Sequence, residues 1–166
     1  RRYFALASAR GETYLWYFPD GTPGGVDEST SPEALPTDGW GSSAMLWALV
    51  EGLAGIVDEG RGFDRMALSP RWLAAGVEEA EASAAYAACG KGVAYRFRSS
   101  AGRVDIDVEA GRADVRFHVL LPAGAAADRV RVDGADTAFT ESRVELSRYA
   151  DFPARLGGGA KVRIDL

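Results

Sequence analysis

"VDIDVEAGRADVRFHVLLP", Val104 to Pro122, holds two alternating runs of apolar residues with a short break between them. Before the break, Val104, Ile106 and Val108 alternate with Asp105, Asp107 and Glu109; after it, Val115, Phe117, Val119 and Leu121 share one face. A side-chain period of two with one apolar face marks a strand half-buried in an antiparallel sheet. The break itself, "AGR", is short enough for a hairpin. The first expectation is therefore two strands joined by a tight turn.

Working outward, the same alternation recurs. In "VAYRFRSS", Val93, Tyr95 and Phe97 face one way and Arg96 and Arg98 the other. Val130 and Val132, Val144 and Leu146, and Val162, Ile164 and Leu166 repeat the pattern, and from about Met66 onward the period is two. "SSAG" reads as a hairpin connection, and "VDGAD" holds the Asp-Gly pair of a two-residue hairpin turn. About six such strands in succession imply a β-sandwich. Residues 63–166 are thus expected to form an antiparallel sandwich.

Residues 1–62 read differently. Tyr3, Phe4, Leu6 and Ala7 suggest a helix over residues 3–17, weakened by Gly11. "FPDGTPGGVDESTSPEALPTDGW" follows, a long irregular loop rich in Pro, Gly and acids; long loops of this kind in compact domains are usually functional or disordered. Asp20 in "PDG" is expected to make a turn. Then "TDGWGSSAMLWALVEGLAGI", Thr37 to Ile56, has Glu51 as its one ionised side chain from Gly41 onward. Ser42 or Ser43 can cap the helix. Met45, Leu46, Trp47, Leu49, Val50, Leu53 and Ile56 cover nearly every direction around its axis, and such a helix belongs inside a set of other elements. One or two helices lying on a sandwich would leave much of it bare. The overall class is α+β: a short N-terminal helical hairpin (1–62) followed by an antiparallel β-sandwich (63–166).

Composition excludes several functions. The 166 residues carry a net charge of −5, with the acidity concentrated before Gly90, where six arginines face thirteen acids. An acidic chain without a basic stripe does not suit nucleic acid. No uncharged apolar run reaches the ~20 residues of a membrane span, and no signal-peptide pattern is visible. One cysteine, Cys89, and one histidine, His118, offer neither an internal disulfide, nor a typical zinc site, nor a Cys–His pair with local support. "GTPGG" and "LGGGA" lack the lysine and strand–helix setting of a phosphate loop. His118 sits opposite the Phe117 face and reads as an exposed or hydrogen-bonded strand residue. Asp105, Asp107 and Glu109 line up as an acidic stripe, for which calcium and simple pairing with Arg96 and Arg98 are the two readings. Nothing in the sequence calls for a cofactor.

The stretch from "DGTPGGVDESTSPEALPTDGWGSSAMLWALVEGLAGI" to "FDRMALSPRW" resembles the last helical hairpin of an α/α-toroid (six-hairpin) glycoside hydrolase, over roughly residues 12–75. The Gly39-Trp40-Gly41-Ser42 start, the Gly52–Ile56 "G-L-x-G-I" end and the "hydrophobic-x-P" strand of "MALSPRW" carry the likeness. In that family six helical hairpins form a barrel with the sugar at its mouth, and a β-sandwich follows. The resemblance implies that the all-round apolar helix is an inner toroid helix and the long loop a loop at the mouth. It also implies that further hairpins precede residue 1, in keeping with a chain that opens without Met.

Glycoside hydrolysis ordinarily needs two carboxyl groups, one to protonate the leaving oxygen and one to activate water or attack the sugar. In several toroid hydrolases the base is a Glu just before an aromatic residue, ahead of the final helix. This sequence departs from that pattern, with Trp16 of "YLWYFPDG" standing in its place. Of the loop acids, Glu28 is the first choice for a catalytic base, set against a solvated or turn-making role. Trp40 and Asp38 suit sugar contact, an indole face against the pyranose C–H face and a carboxylate accepting from hydroxyls; the competing roles are packing at the helix entrance and capping. Trp16 is a further candidate, set against core packing. The general acid would lie upstream. The expected object is the C-terminal part of a carbohydrate-active, glycoside hydrolase-like enzyme, inactive alone, with the sandwich as a brace. Its partners would be carbohydrate in the longer protein and either an upstream helical domain or a second copy covering Met45–Ile56. The alternative is a complete non-catalytic module that binds glycan or protein.

Overall fold

Strands built on the alternating runs dominate the computed structural model, which describes residues 2–11, 14, 17–24 and 39–166, apart from the Trp40 side chain. The chain divides into two compact units, Arg1–Ala48 and Leu49–Leu166. In chain order the elements are α1 (Arg2–Arg10), α2 (Gly39–Trp47), a π-helical turn (Ala48–Leu53), β1 (Ile56–Asp58), β2 (Arg65–Leu68), a 3-10 turn (Trp72–Ala75), β3 (Glu79–Tyr86), β4 (Lys91–Ser100), β5 (Arg103–Leu120), β6 (Arg129–Val132), β7 (Ala135–Asp136), β8 (Thr140–Val144) and β9 (Ser147–Asp165).

In the first unit, α1 is shorter than the expected residues 3–17. Gly11 ends it in a left-handed conformation (φ 72°), its N–H donating to Ala7 O at 2.8 Å. The Tyr3 hydroxyl donates to Tyr14 O at 2.8 Å, and the Tyr17 ring meets those of Tyr3 and Tyr14 edge-on. Asp20 makes the expected turn: its carboxylate accepts from the Thr22 N–H at 2.9 Å, and that bond holds its pKa below the usual carboxylate value. Helix α2 begins at Gly39, so Ser42 and Ser43 lie inside it rather than capping it. Among the described residues its apolar side chains are largely exposed. Leu46 and Trp47 are each 63% exposed.

In the second unit, the chain leaves the α-helical ladder for a wider turn in which Ala54 N–H donates five residues back to Leu49 O at 2.8 Å. Arg71 closes this turn, its guanidinium donating to Gly52 O at 3.0 Å and to Glu51 O at 3.3 Å, where a cation suits unpaired carbonyls. Gly55 (φ 69°) then turns the chain into β1. A Cβ there would meet Ser69 O at 1.9 Å, so only glycine lets the two backbones approach.

Two expectations about the sheet are corrected. "AGR" is not a hairpin. β5 runs unbroken from Arg103 to Leu120, with a bulge between Glu109 and Arg112 where it pairs with β9. Nor is the sheet purely antiparallel. β2 lies parallel to β5, from Arg65 opposite Asp114 to Leu68 opposite Phe117. A parallel neighbour needs a long crossover, and the chain from Ser69 to Gly102, which builds β3 and β4, supplies it. The sheet order is β1-β2-β5-β9-β6-β7, with β3-β4 added on β5 and β8 on β9. The first half of β5 lies between β4 and the end of β9; its second half lies between β2 and the start of β9.

The bulge decides which residues are buried. Along β9, Ala150, Phe152, Leu156, Ala160, Val162 and Ile164 are all buried and all even-numbered. Along β5 the buried set changes parity, from Val104, Ile106 and Val108 to Ala113, Val115, Phe117 and Val119. One extra residue on β5 keeps both halves facing the same core. Glycines serve the opposite strand: Gly158 has φ 152°, and a Cβ on Gly159 would meet Val108 O at 2.7 Å. Residues of both sheet halves join one apolar cluster with Met66, Leu68, Tyr95 and Phe97. As expected, Asp133 and Gly134 make a hairpin turn, with positive φ at both (51° and 82°). Val144 and Leu146 are not core residues; they lie at the β8–β9 hairpin tip, where Leu146 is fully exposed.

One buried hydroxyl links these parts. Tyr95, on β4, donates to Ala54 O at 2.5 Å and accepts from Trp72 Nε1 at 2.8 Å. Burial pushes its pKa above the ordinary phenol range, although the Trp72 bond opposes this. Tyr95→Phe would strand a carbonyl and an indole N–H, and a loss of about 2–4 kcal/mol is expected in urea unfolding. A loss under about 0.5 kcal/mol would mean the hydroxyl links nothing. Gly55→Ala combines a left-handed backbone with a clash against main chain, and should cost roughly 2–4 kcal/mol; an unchanged melting temperature would contradict the close approach.

Candidate functional site

Where the first halves of β4 and β5 and the end of β9 carry apolar residues inward, their alternate residues form a charged outer face. The register sets one row across six strands: Glu79, Arg98, Asp105, Arg163, Arg131 and Asp136. Asp105 stands between two cations, Arg103 Nε at 2.8 Å and Arg163 Nε at 3.1 Å. Arg98 reaches Asp107 at 2.8 Å, and Arg131 reaches Asp165 at 3.1 Å and Asp136 at 3.4 Å. A neighbouring row pairs Glu81 with Arg96, whose charged form is favoured by that hydrogen bond, raising its pKa. The acidic stripe foreseen in the sequence is therefore engaged by arginines at Asp105 and Asp107. The face encloses a hollow of about 920 Å³.

The outer face of the other half carries a second polar group. His118 Nδ1 donates to Asp151 Oδ1 at 2.5 Å, and Ser142 donates to the other oxygen of Asp151. The Tyr149 ring stacks on the imidazole, centroids 3.9 Å apart and planes within 7°. His118 is thus the hydrogen-bonded strand histidine the alternation suggests. The carboxylate stands in the middle, so the serine hydroxyl bonds the acid and not the imidazole. A nucleophile needs its base as direct partner, and this order gives none.

A third polar centre supports the β1–β2 turn. The Asp58 carboxylate accepts from Gly60, Gly62 and Phe63 N–H at 3.0, 3.0 and 3.1 Å. Burial works to raise its pKa, but these bonds and the Tyr86 hydroxyl outweigh it and leave the pKa lowered. The group shapes a turn.

Of the sequence-predicted site residues, Trp16, Glu28 and Asp38 lie outside the described residues, and Trp40 is described only as backbone in the first turn of α2. The residues brought together instead, Arg98, Arg103, Asp105, Arg131, Lys161 and Arg163, are far apart in sequence. The alternating charges along each strand were the visible signal; the register that aligns them was not.

No protein-family model and no curated protein matches the chain. Among solved structures, the α-L-rhamnosidase from Dictyoglumus thermophilum is similar over 98% of this chain and 17% of its own, with 12% identity and a TM-score of 0.56. The fold of this chain is thus similar to that of one section of the rhamnosidase. A Listeria monocytogenes cycloalternan-forming enzyme, solved with a pentasaccharide substrate, matches over 61% of this chain and 10% of its own (15% identity, TM-score 0.46). A Flavobacterium johnsoniae GH31 dextranase, solved with glucose, matches over 66% and 18% (11% identity, TM-score 0.42). The chain thus spans a tenth to less than a fifth of the length of these proteins.

The ladder predicts unequal sensitivity. Asp105, 16% exposed and held by two arginines, should cost about 1–2 kcal/mol on replacement by Ala. Asp136, 72% exposed, should cost under about 0.5 kcal/mol. Equal losses in chemical denaturation would show that the row contributes nothing through Asp105.

Proposed function

We propose that this chain is the C-terminal section of a glycoside hydrolase-like, carbohydrate-active protein. On this reading α1 and α2 belong to the terminal hairpin of a six-hairpin helical toroid. The two halves of the bent sheet act as the leaves of a β-sandwich that braces the toroid and takes no part in chemistry. The fold likeness to the rhamnosidase, over 98% of this chain, is the observation that carries the proposal. The exposed apolar side chains of Leu46, Trp47 and Leu49 support it, since a helix with apolar residues all round belongs among other helices. The covering partner is further helices of the same polypeptide, with a second copy as the alternative.

Chemistry on this reading is shared with parts beyond this chain. Trp40, Asp38 and Trp16 contact sugar at the toroid mouth, and Glu28 is the base the long loop offers. A lone base without its acid does not cleave a glycosidic bond, so the isolated chain is inactive.

The intact mass of the protein made by its native host tests this directly. A mass several times 17.6 kDa is expected, and the 166-residue chain made alone should bind a hydrophobic dye and self-associate. A native mass near 17.6 kDa with a dye-silent monomer would overturn the reading and leave a binding module. In the longer protein, Trp40→Ala should lower kcat/KM at least tenfold, about 1.4 kcal/mol, with the melting temperature unchanged. Unaltered kinetics would remove Trp40 from the site.

A further inference from the structure

The hollow on the outer face has an imbalance that the ladder does not resolve. Three of its four acids are spoken for. Asp105 is held by Arg103 and Arg163, Asp107 by Arg98, and the Asp133 carboxylate accepts the Lys161 backbone N–H at 2.7 Å. Its cations are less evenly served: Arg131 pairs with Asp165 and Asp136 and Arg163 shares Asp105 with Arg103, while Lys161 has no ion pair among the described residues. Arg163 on β9 and Arg131 on β6 lie directly opposite each other, and like charges in that position are destabilising. Lys161 lies on the same face two residues along β9, opposite Asp107 on β5, whose carboxylate is taken by Arg98, and forms no ion pair of its own among the described residues. Arg163 makes its bond to Asp105 through Nε, which leaves its terminal nitrogens without a bond among the described residues.

Lys161, Arg163 and Arg131 thus line the hollow together from two adjacent strands about 4.8 Å apart. Glu79 is the lining acid whose carboxylate has no hydrogen bond or ion pair among the described residues. It sits on β3, three strand spacings from β9, roughly 14 Å, farther than the ~8 Å over which exposed charges act at physiological salt. An anion between Lys161, Arg163 and Arg131 would relieve the like-charge pair and gain charge-assisted hydrogen bonds. No aromatic side chain lines the hollow, so it has no stacking platform for the face of a neutral sugar. Ser100, on the same face of β4 as Arg98, also lines it.

From this arrangement we infer that the hollow binds an acidic saccharide, one carboxylate of which is held by Lys161, Arg163 and Arg131. The anion-binding part stands on the charges alone; the saccharide part rests on the carbohydrate reading above.

Titration calorimetry on the 166-residue chain, with trigalacturonate, its neutral methyl ester and inorganic phosphate, tests both parts. Trigalacturonate should bind, more weakly as salt is raised, and the ester should not. Lys161→Gln, confirmed folded by its melting temperature, should weaken binding at least tenfold, and Lys161→Arg should largely restore it. Should Lys161→Gln fail to fold, Arg163→Gln gives the same reading. Equal binding of acid and ester, or of wild type and Lys161→Gln, would overturn the inference. Binding of phosphate but not trigalacturonate would overturn the saccharide assignment and count against the carbohydrate reading. Failure of both anions would remove the site and leave that reading untouched.

Discussion

The long antiparallel pairing of β5 with β9 is the constraint on which the rest of the sheet depends. Every other strand pairing but three (β1 with β2, β3 with β4, β6 with β7) is made onto one of these two. Because strand side chains alternate with period two, a straight pairing of this length would send Ala113, Val115, Phe117 and Val119 outward once Val104, Ile106 and Val108 point in. A single extra residue between Glu109 and Arg112 removes that conflict, and glycines opposite it, at 157–159, accept the distorted backbone without side chains. Two strands thus form both halves of the sheet, and one apolar cluster serves both.

That arrangement also explains what was legible in the sequence. The alternation at Val93–Phe97, Val104–Val108, Val115–Val119 and Val162–Ile164 reported the buried face correctly, because burial imposes it locally. "AGR" misled because a change of parity around a glycine fits a hairpin and a bulge equally well. What separates them is the partner strand some forty residues later, which local pattern does not carry. β3 went unread for a different reason. Its inward positions Ala80, Ala82 and Ala84 are too small to stand out against its polar ones, and alanine has low strand propensity. At Val144 and Leu146 alternation was present without burial, since the β8–β9 hairpin extends past the core.

The polar sites were less legible still. Arg98, Asp105, Arg163 and Arg131 are neighbours only through three separate registers, and His118 meets Asp151 and Ser142 only through the β5–β9 and β8–β9 pairings. Each strand alone shows no more than charges on a solvated face. The loop acids and tryptophans drew attention because they cluster in sequence, which is a weaker indication of proximity than register.

The two units differ in how far they satisfy themselves. In the sheet unit, apolar residues from seven of its nine strands and the flanking turns reach one core, Tyr95 fixes β4 to the chain entering β1, and no buried side-chain polar atom among the described residues lacks a partner. The helical unit pairs tyrosines and a short turn at one end, yet leaves Phe4, Leu46 and Trp47 at least half exposed. Such surface carries a standing cost of roughly 25 cal/mol for each Å² left in water. That cost is removed by a cover and not by anything the described part of the unit contains. The sheet unit thus closes on itself, and the described part of the helical unit does not. The ionic outer face of the sheet lies apart from that closure, since the core is built from the alternate residues of the same strands.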